Sequence, residues 1–353
     1  MSRFFTERFA SLTPYTPGEQ PQERQYVKLN TNESPFPPSP GVLEAVEKEA
    51  VRLQLYSDPE SRILTRALAD YYGVKPSEVL VGNGSDELLY FAFMAFCDEK
   101  NPAVFADITY GFYPVYAEVN RIPYVEVPVH EDMSIDPEDY AQLNGTVFLA
   151  NPNAPTGIAL SRAAVEDMLC SRPDRMHVVD EAYVDFGAES VLPLTRQYSN
   201  LLVIQTFSKS RSLAGARLGF AVGSEALIGD LNTLKYSTNP YNVNRMTSAA
   251  GVAALAEDVY YRENALRIIE NRTWTREQLM KLGFEVTDSR SNFLFARCDR
   301  ISGNDLYLRL KERGVLVRHF SKERIDDYVR ITVGTRSQME RLLSEIRAIL
   351  SEK

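Results

Sequence analysis

Short apolar runs recur through the first two thirds of the chain, at 78–81, 103–106, 124–129, 146–150, 177–179 and 201–204, and valine stands in every one of them. Runs of this length and β-branched content are the pattern of strands buried on both faces. Between them the period changes to that of helices: Val42, Leu43, Val46, Ala50, Val51 and Leu53 fall on one face within 41–55, and the apolar segment 88–96 and the stretch 110–119 follow strands directly. Strand and helix in alternation predict an α/β fold with a large, doubly wound, mainly parallel sheet. From Ser224 to about Leu282 the pattern is mostly helical, with Trp274 as core. A smaller α+β domain follows, read as a strand at 292–296, a helix at 304–313, strands at 315–320 and 328–333, and a closing helix whose Met339, Leu342, Leu343, Ile346 and Leu350 share a face. At the other end Pro14, Pro17, Pro21, Pro35, Pro37, Pro38 and Pro40 forbid a long helix, so 1–40 reads as an arm or lid packing with the small domain. The expected units are therefore 1–40, a large domain at 41–240, and a connecting helix with the small domain at 241–353.

Composition narrows the class. A chain of 353 residues with 44% hydrophobic content can bury a large core. No uncharged apolar run approaches the roughly 18 residues of a membrane span, and the first eight residues lack the apolar core of a signal peptide, so a cytoplasmic protein with no membrane partner is expected. A net charge of −9 argues against nucleic acid as a partner. Cys97, Cys170 and Cys298 are odd in number and far apart, which fits neither a disulfide framework nor a metal site.

The chemistry gathers at strand ends. The run 201–204 leads into S-K-S-R-S-L-A-G-A-R-L-G at 208–219, which puts Lys209 at the C-terminal end of a buried strand, where α/β sheets hold ligands. Such a lysine can act as a covalent catalyst through a Schiff base, the cation of Arg217 favours its free amine, and Arg217 and Ser208 can also hold an anion. The turn G-N-G-S-D-E at 82–87 joins a strand to a helix, a phosphate cradle in which glycines allow close approach and Ser85 caps the helix. Tyr110 stands beside a strand end, where its ring can stack on a planar ligand or simply pack in the core. The turn N-P-N-A-P-T-G at 151–157 offers the amide of Asn153, and the strand at 177–179 ends in Asp180, with Tyr183 three residues on. A buried aspartate there needs a cationic partner. Arg318 and Arg330, inside apolar strands, are solvent-face residues or a fork for carboxylate or phosphate.

Taken together, K-L-N-T-N-E-S-P at 28–35, Tyr56 with Asp58-Pro59, G-N-G-S-D-E, the P-T-G turn, D-E-A-Y at 180–183, the lysine segment, V-R-H-F at 317–320 and V-R-I-T-V-G-T at 329–335 resemble the fold-type I aminotransferases that use pyridoxal 5'-phosphate. Within these the chain is most like the histidinol-phosphate aminotransferase family. The resemblance implies that Lys209 is the Schiff-base lysine, that Asp180 pairs with the pyridine nitrogen, that Tyr183 meets the ring oxygen and that Tyr110 stacks on the ring. It places Ser85, Asp86, Ser208 and Arg217 at the cofactor phosphate. Tyr56 is expected to reach the phosphate of the neighbouring subunit's cofactor, which implies a homodimer with shared active sites. Arg330 and Arg318 are expected to hold the substrate anion, with Tyr15, Asn32 and Tyr241 as further substrate contacts. One position departs from the family: the asparagine usual before the proline of P-T-G is Ala154 here, and Asn153 stands one residue earlier.

The implied reaction is transamination between L-histidinol phosphate and 2-oxoglutarate, giving imidazole acetol phosphate and glutamate, a step of histidine biosynthesis with ping-pong kinetics. An aromatic amino-acid aminotransferase or a decarboxylase of the threonine-phosphate type would keep the same cofactor residues. A cofactor-binding regulator without turnover would carry a DNA-binding domain, and no such segment is evident.

Overall fold

The computed structural model of the protein describes residues 2–10 and 12–352; Met1 and Ser11 of the expected arm and Lys353 of the expected C-terminal unit lie outside them. In chain order the regular elements begin with β1 (Val27–Lys28), α1 (Pro40–Ala50), α2 (Arg62–Tyr72), β2 (Val79–Gly82), α3 (Gly84–Phe96), β3 (Ala103–Ala106), α4 (Tyr113–Asn120), β4 (Tyr124–Val127), β5 (Thr146–Ala150), α5 (Arg162–Ser171), β6 (His177–Asp180), β7 (Leu201–Thr206) and β8 (Gly219–Val222). Then come α6 (Glu225–Thr238), α7 (Arg245–Ala256), α8 (Asp258–Lys281), β9 (Glu285–Val286), β10 (Phe293–Arg297), α9 (Gly303–Glu312), β11 (Val315–Leu316), β12 (Arg318–His319), β13 (Tyr328–Thr332) and α10 (Arg336–Ser351). Several helices start where a short polar side chain can satisfy the first free amides. Ser161, Ser224, Asn244, Ser302 and Thr335 each accept a hydrogen bond from an amide of the first turn.

Seven strands form one sheet in the order β2-β8-β7-β6-β5-β3-β4. β7, β6, β5, β3 and β4 run parallel, and β8 is antiparallel to both of its neighbours. The two-residue alternation of a strand divides the apolar run of β7 between two cores: Leu201 and Val203 pack on one face, Leu202 and Ile204 on the other. β5 does the same with Val147 and Leu149 against Phe148 and Ala150. Both faces are covered, which is why these runs show no polar alternation. A second sheet, β12-β13-β10-β9, is antiparallel throughout and packs with α10 and part of α8 around its own core.

Two expectations change here. The run 315–320 is not one strand, because β11 pairs in parallel with β1 of the arm while β12 pairs with β13. The helix expected from Tyr110 begins at Tyr113, so Tyr110 belongs to the turn before it. What these layers position is the row of C-terminal ends of the parallel strands, at Ala150, Asp180 and Thr206, facing the small sheet.

Candidate active site

Lys209 follows β7 and lies where two lobes of one cleft meet. One lobe, about 390 Å³, is lined among others by Ser85, Asp86, Asp180, Thr206, Ser208 and Arg217; the other, about 340 Å³, by Tyr15, Asn32, Arg318, Phe320, Lys322 and Arg330. Thr31, Tyr110, Ala154, Tyr183 and Lys209 line both. Among the described residues the lysine amine has one hydrogen-bond partner, the carbonyl oxygen of Thr31 at 3.5 Å, and it stands 5.7 Å from the centre of the Tyr183 ring.

The floor of the first lobe is Asp180. It is 6% exposed, and its carboxylate accepts from the Ala182 amide at 3.1 Å and from the Tyr113 hydroxyl at 3.3 Å. Burial, aided by the charge of Asp86, pushes its carboxyl up to about 7 against the opposing pull of these donors and of Lys209. Among the described residues it has no cationic hydrogen-bond partner.

At the far end Arg217 donates to Asp86 at 2.8 Å and to the Ser208 hydroxyl at 3.5 Å, and Tyr110 donates to the other oxygen of Asp86 at 2.6 Å. Two glycines make this packing possible. A Cβ on Gly84, which has φ +78°, would come within 2.5 Å of the Arg217 guanidinium, and one on Gly219 would come within 2.5 Å of the Ser85 amide nitrogen. The thirteen-residue helix α3 therefore brings its first amides against the guanidinium of Arg217, just before β8.

In the second lobe Arg330 donates to the carbonyl oxygen of Asn30 at 3.1 Å and lies 5.3 and 5.5 Å from the Phe293 and Phe320 ring centres. Its Nε is buried without a partner among the described residues. Arg318 donates to the carbonyl oxygens of Thr16 and Pro17 in the arm, and Tyr15 stacks on Phe112 at 4.2 Å. Asn32, held in the left-handed region at φ 57°, donates to the Tyr183 hydroxyl at 2.9 Å.

Asn153, Tyr56 and Tyr241 line neither lobe of their own chain, and Tyr56 is expected at a neighbouring subunit's site rather than there. Asn153 turns away from the cleft: it accepts from Thr109 at 2.7 Å and donates to the Ile108 carbonyl and to Thr156, so its amide holds the loop while Ala154 faces the lobes. Tyr56 and Tyr241 stack on each other at 4.6 Å, 80% and 45% exposed, and line neither lobe. Residues without an assigned role also enter the site. Tyr113 stands three positions after Tyr110, a spacing that could have flagged it, whereas Glu33 is drawn to the cleft wall through Lys28 at 2.6 Å and Thr31 at 2.8 Å, partners in the K-L-N-T-N-E-S-P run.

Residues 24–346 match the model of the aminotransferase class I and II family. The chain belongs to that family. Among curated relatives it is 51% identical to histidinol-phosphate aminotransferase 1 of Bradyrhizobium diazoefficiens, over 99% of this chain and 100% of that one, and 45% identical to the histidinol-phosphate aminotransferase of Brachyspira hyodysenteriae, over 99% of each. Among solved structures it is similar to the histidinol-phosphate aminotransferase of Sinorhizobium meliloti in complex with pyridoxal-5'-phosphate, with a TM-score of 0.88, 26% identity and 99% of both chains covered.

Aminotransferases of this family depend on pyridoxal phosphate, and the first lobe fits that group on its own chemistry. A buried carboxylate lacking a cation at one end suits a protonated ring nitrogen. A guanidinium, two serines and a helix N-terminus at the other end suit a phosphate. An amine stands between them.

Proposed function

We propose that the protein transfers the amino group of L-histidinol phosphate to 2-oxoglutarate, giving imidazole acetol phosphate and glutamate, and that Lys209 is the residue on which the reaction turns. The observation that carries this reading is the place of Lys209 at the junction of the two lobes, between an anion-binding end with a buried carboxylate and a pair of arginines. Pyridoxal phosphate, when bound, supplies an electrophilic carbon for amines and a ring that takes up the electron pair released at Cα. The chain's residues do the rest. Ser85, Ser208, Arg217 and the α3 amides hold the phosphate, with Asp86 orienting the guanidinium. Asp180, backed by Tyr113, keeps the ring nitrogen protonated. Tyr183, its hydroxyl oxygen already taken by the amide of Asn32, has its own proton free for the ring oxygen. Lys209 Nζ, as general base, would take the proton from the donor Cα and, as general acid, deliver it to the cofactor carbon that keeps the amino group.

Arg330 and Arg318 receive the substrate anion. A planar guanidinium accepts phosphate or carboxylate with the same fork, so one lobe serves both half-reactions. Arg330 lines that lobe, and among the described residues its Nε is buried without a partner. In the same reading the arm 1–40 closes over the second lobe, 41–240 holds the cofactor, 241–353 brings the arginines, and two chains pair so that Tyr56 of one completes the site of the other. The three free cysteines suit a cytoplasmic setting.

The test is a single-turnover absorbance titration of the cofactor-loaded protein with histidinol phosphate, tyrosine, phenylalanine and threonine phosphate. Conversion at far lower concentration with histidinol phosphate is expected; a preference for tyrosine or phenylalanine would replace the substrate assignment and keep the cofactor site. Lys209→Ala should cut turnover by roughly 10²–10⁴-fold while circular dichroism stays unchanged.

A further inference from the structure

The segment after Lys209 is strained and unusually well tied. Ser212 and Arg217 both sit in the left-handed region, at φ 54° and 55°, without being glycine. Such a backbone persists only where its surroundings over-determine it. Here Ser208 is held by Thr206, Ser210 donates to Asp185 in the turn after Tyr183, and Ser212 donates to Ser34 in the arm at 2.9 Å. The residue between those two serines is Arg211, with its side chain only 7% exposed.

Arg211 does not face the cleft. Its guanidinium donates to Asp258 at 2.9 Å, to the Tyr71 hydroxyl at 3.1 Å and to the Ala254 carbonyl at 3.1 Å, over the rings of Tyr71, Phe207 and Tyr261. Asp258 also accepts from Tyr71 at 2.8 Å and pairs with Arg262. It is the first residue of α8, at the point where the chain leaves the helices packed on the large sheet and starts the long helix that packs on the small one.

Removing two opposite charges from water costs about as much as their attraction returns, so a buried pair is weak as a source of stability and is better understood by what it fixes in place. We propose that Arg211 and Asp258 are positioning residues for Lys209: the pair anchors the strained lysine segment to the junction of α7 and α8, and so sets where the amine stands in the cleft. It rests on the assignment of Lys209 made above.

Three variants separate positioning from stability: Arg211→Met, Asp258→Asn and the two together. Asp258→Asn leaves a buried guanidinium short of its carboxylate and should melt lower than the wild type, while the double variant should recover most of that loss. If the pair positions Lys209, the recovered double variant stays slow. On mixing the cofactor-free chain with pyridoxal phosphate, its visible absorbance should rise roughly tenfold more slowly, and kcat should fall by a similar factor with little change in the KM of the donor. If the double variant regains both its melting temperature and the wild-type rate of absorbance change, the pair is merely structural and the proposal is overturned. Borohydride reduction of the loaded wild type followed by peptide mass analysis separates this from failure of the underlying assignment. Cofactor mass on a lysine other than Lys209 would remove the assignment and the proposal with it, whereas cofactor on Lys209 with a fast double variant would remove the proposal alone.

Discussion

Asp180 is under two opposed demands, and pH separates them. An aspartate in the unfolded chain ionises near 3.9, while in the native chain burial holds its proton up to about 7. Between those values the native state binds more protons than the unfolded state, so the contribution of Asp180 to stability falls as pH rises from about 4 to about 7 and is at its most unfavourable above that. The ceiling on this penalty is about 4 kcal/mol. Asp180→Asn should therefore raise the melting temperature of the cofactor-free chain at pH 8, and the gain should vanish near pH 4. With cofactor bound the sign reverses, because the carboxylate then has its cation, and the variant should lose at least about 10²-fold in turnover at pH 8. Calorimetry of both forms at the two pH values checks the pair of statements, and an unchanged melting temperature at pH 8 without cofactor would contradict the first. The residue itself was legible in the sequence, since a carboxylate ending an apolar strand is a local pattern. The orientation of Asn153 was not, because it is set by Thr109 and the Ile108 carbonyl, supplied by the turn after β3.

At the scale of elements the arm is where local pattern gave out. The stretch V-L-V-R-H-F at 315–320 reads as one extended segment but carries no record of which edges will pair, and the arm competes for one of them through β1. The strands of the large sheet were readable for the opposite reason: apart from the edge strand β4, where Tyr124, Val125 and Glu126 are exposed, they are buried on both faces and announce themselves by composition alone. The arm is then secured by particular contacts, Glu19 with Lys311 and with the Tyr307 hydroxyl, Asn30 with the Glu19 carbonyl at 2.8 Å, and Arg318 with Thr16 and Pro17. Because Arg318 also lines the second lobe, the hold on the arm and the hold on substrate share a residue. Glu19→Gln should loosen the arm, raising the KM of the amino donor several-fold with kcat little changed and speeding tryptic cleavage at Arg24. Wild-type cleavage kinetics in the variant would mean that the arm is held by Arg318 and Tyr15 without this clip.

For the whole molecule the unresolved chemistry lies on the surface. Val51, Leu53, Leu55, Tyr56 and Ile63 are each more than half exposed, a concentration of apolar side chains that a soluble monomer rarely leaves in water. A second protein surface would cover these side chains. If that cover is a second copy placed by two-fold symmetry, Tyr56 of each chain approaches the site of the other, and the expectation can be tested without a structure. Lys209→Ala and Tyr56→Ala should each be poorly active alone. Mixed and allowed to exchange, they form dimers in which one site has lost both residues and the other has its own Lys209 and its partner's Tyr56 intact. Equal mixing should then restore activity to about a quarter of the wild-type value, appearing at the rate of subunit exchange and depending on protein concentration. If the mixture stays at the sum of its parts while sedimentation shows exchanged dimers, Tyr56 works within its own chain or not at all, and the apolar stretch from Val51 to Ile63 serves association without completing the site.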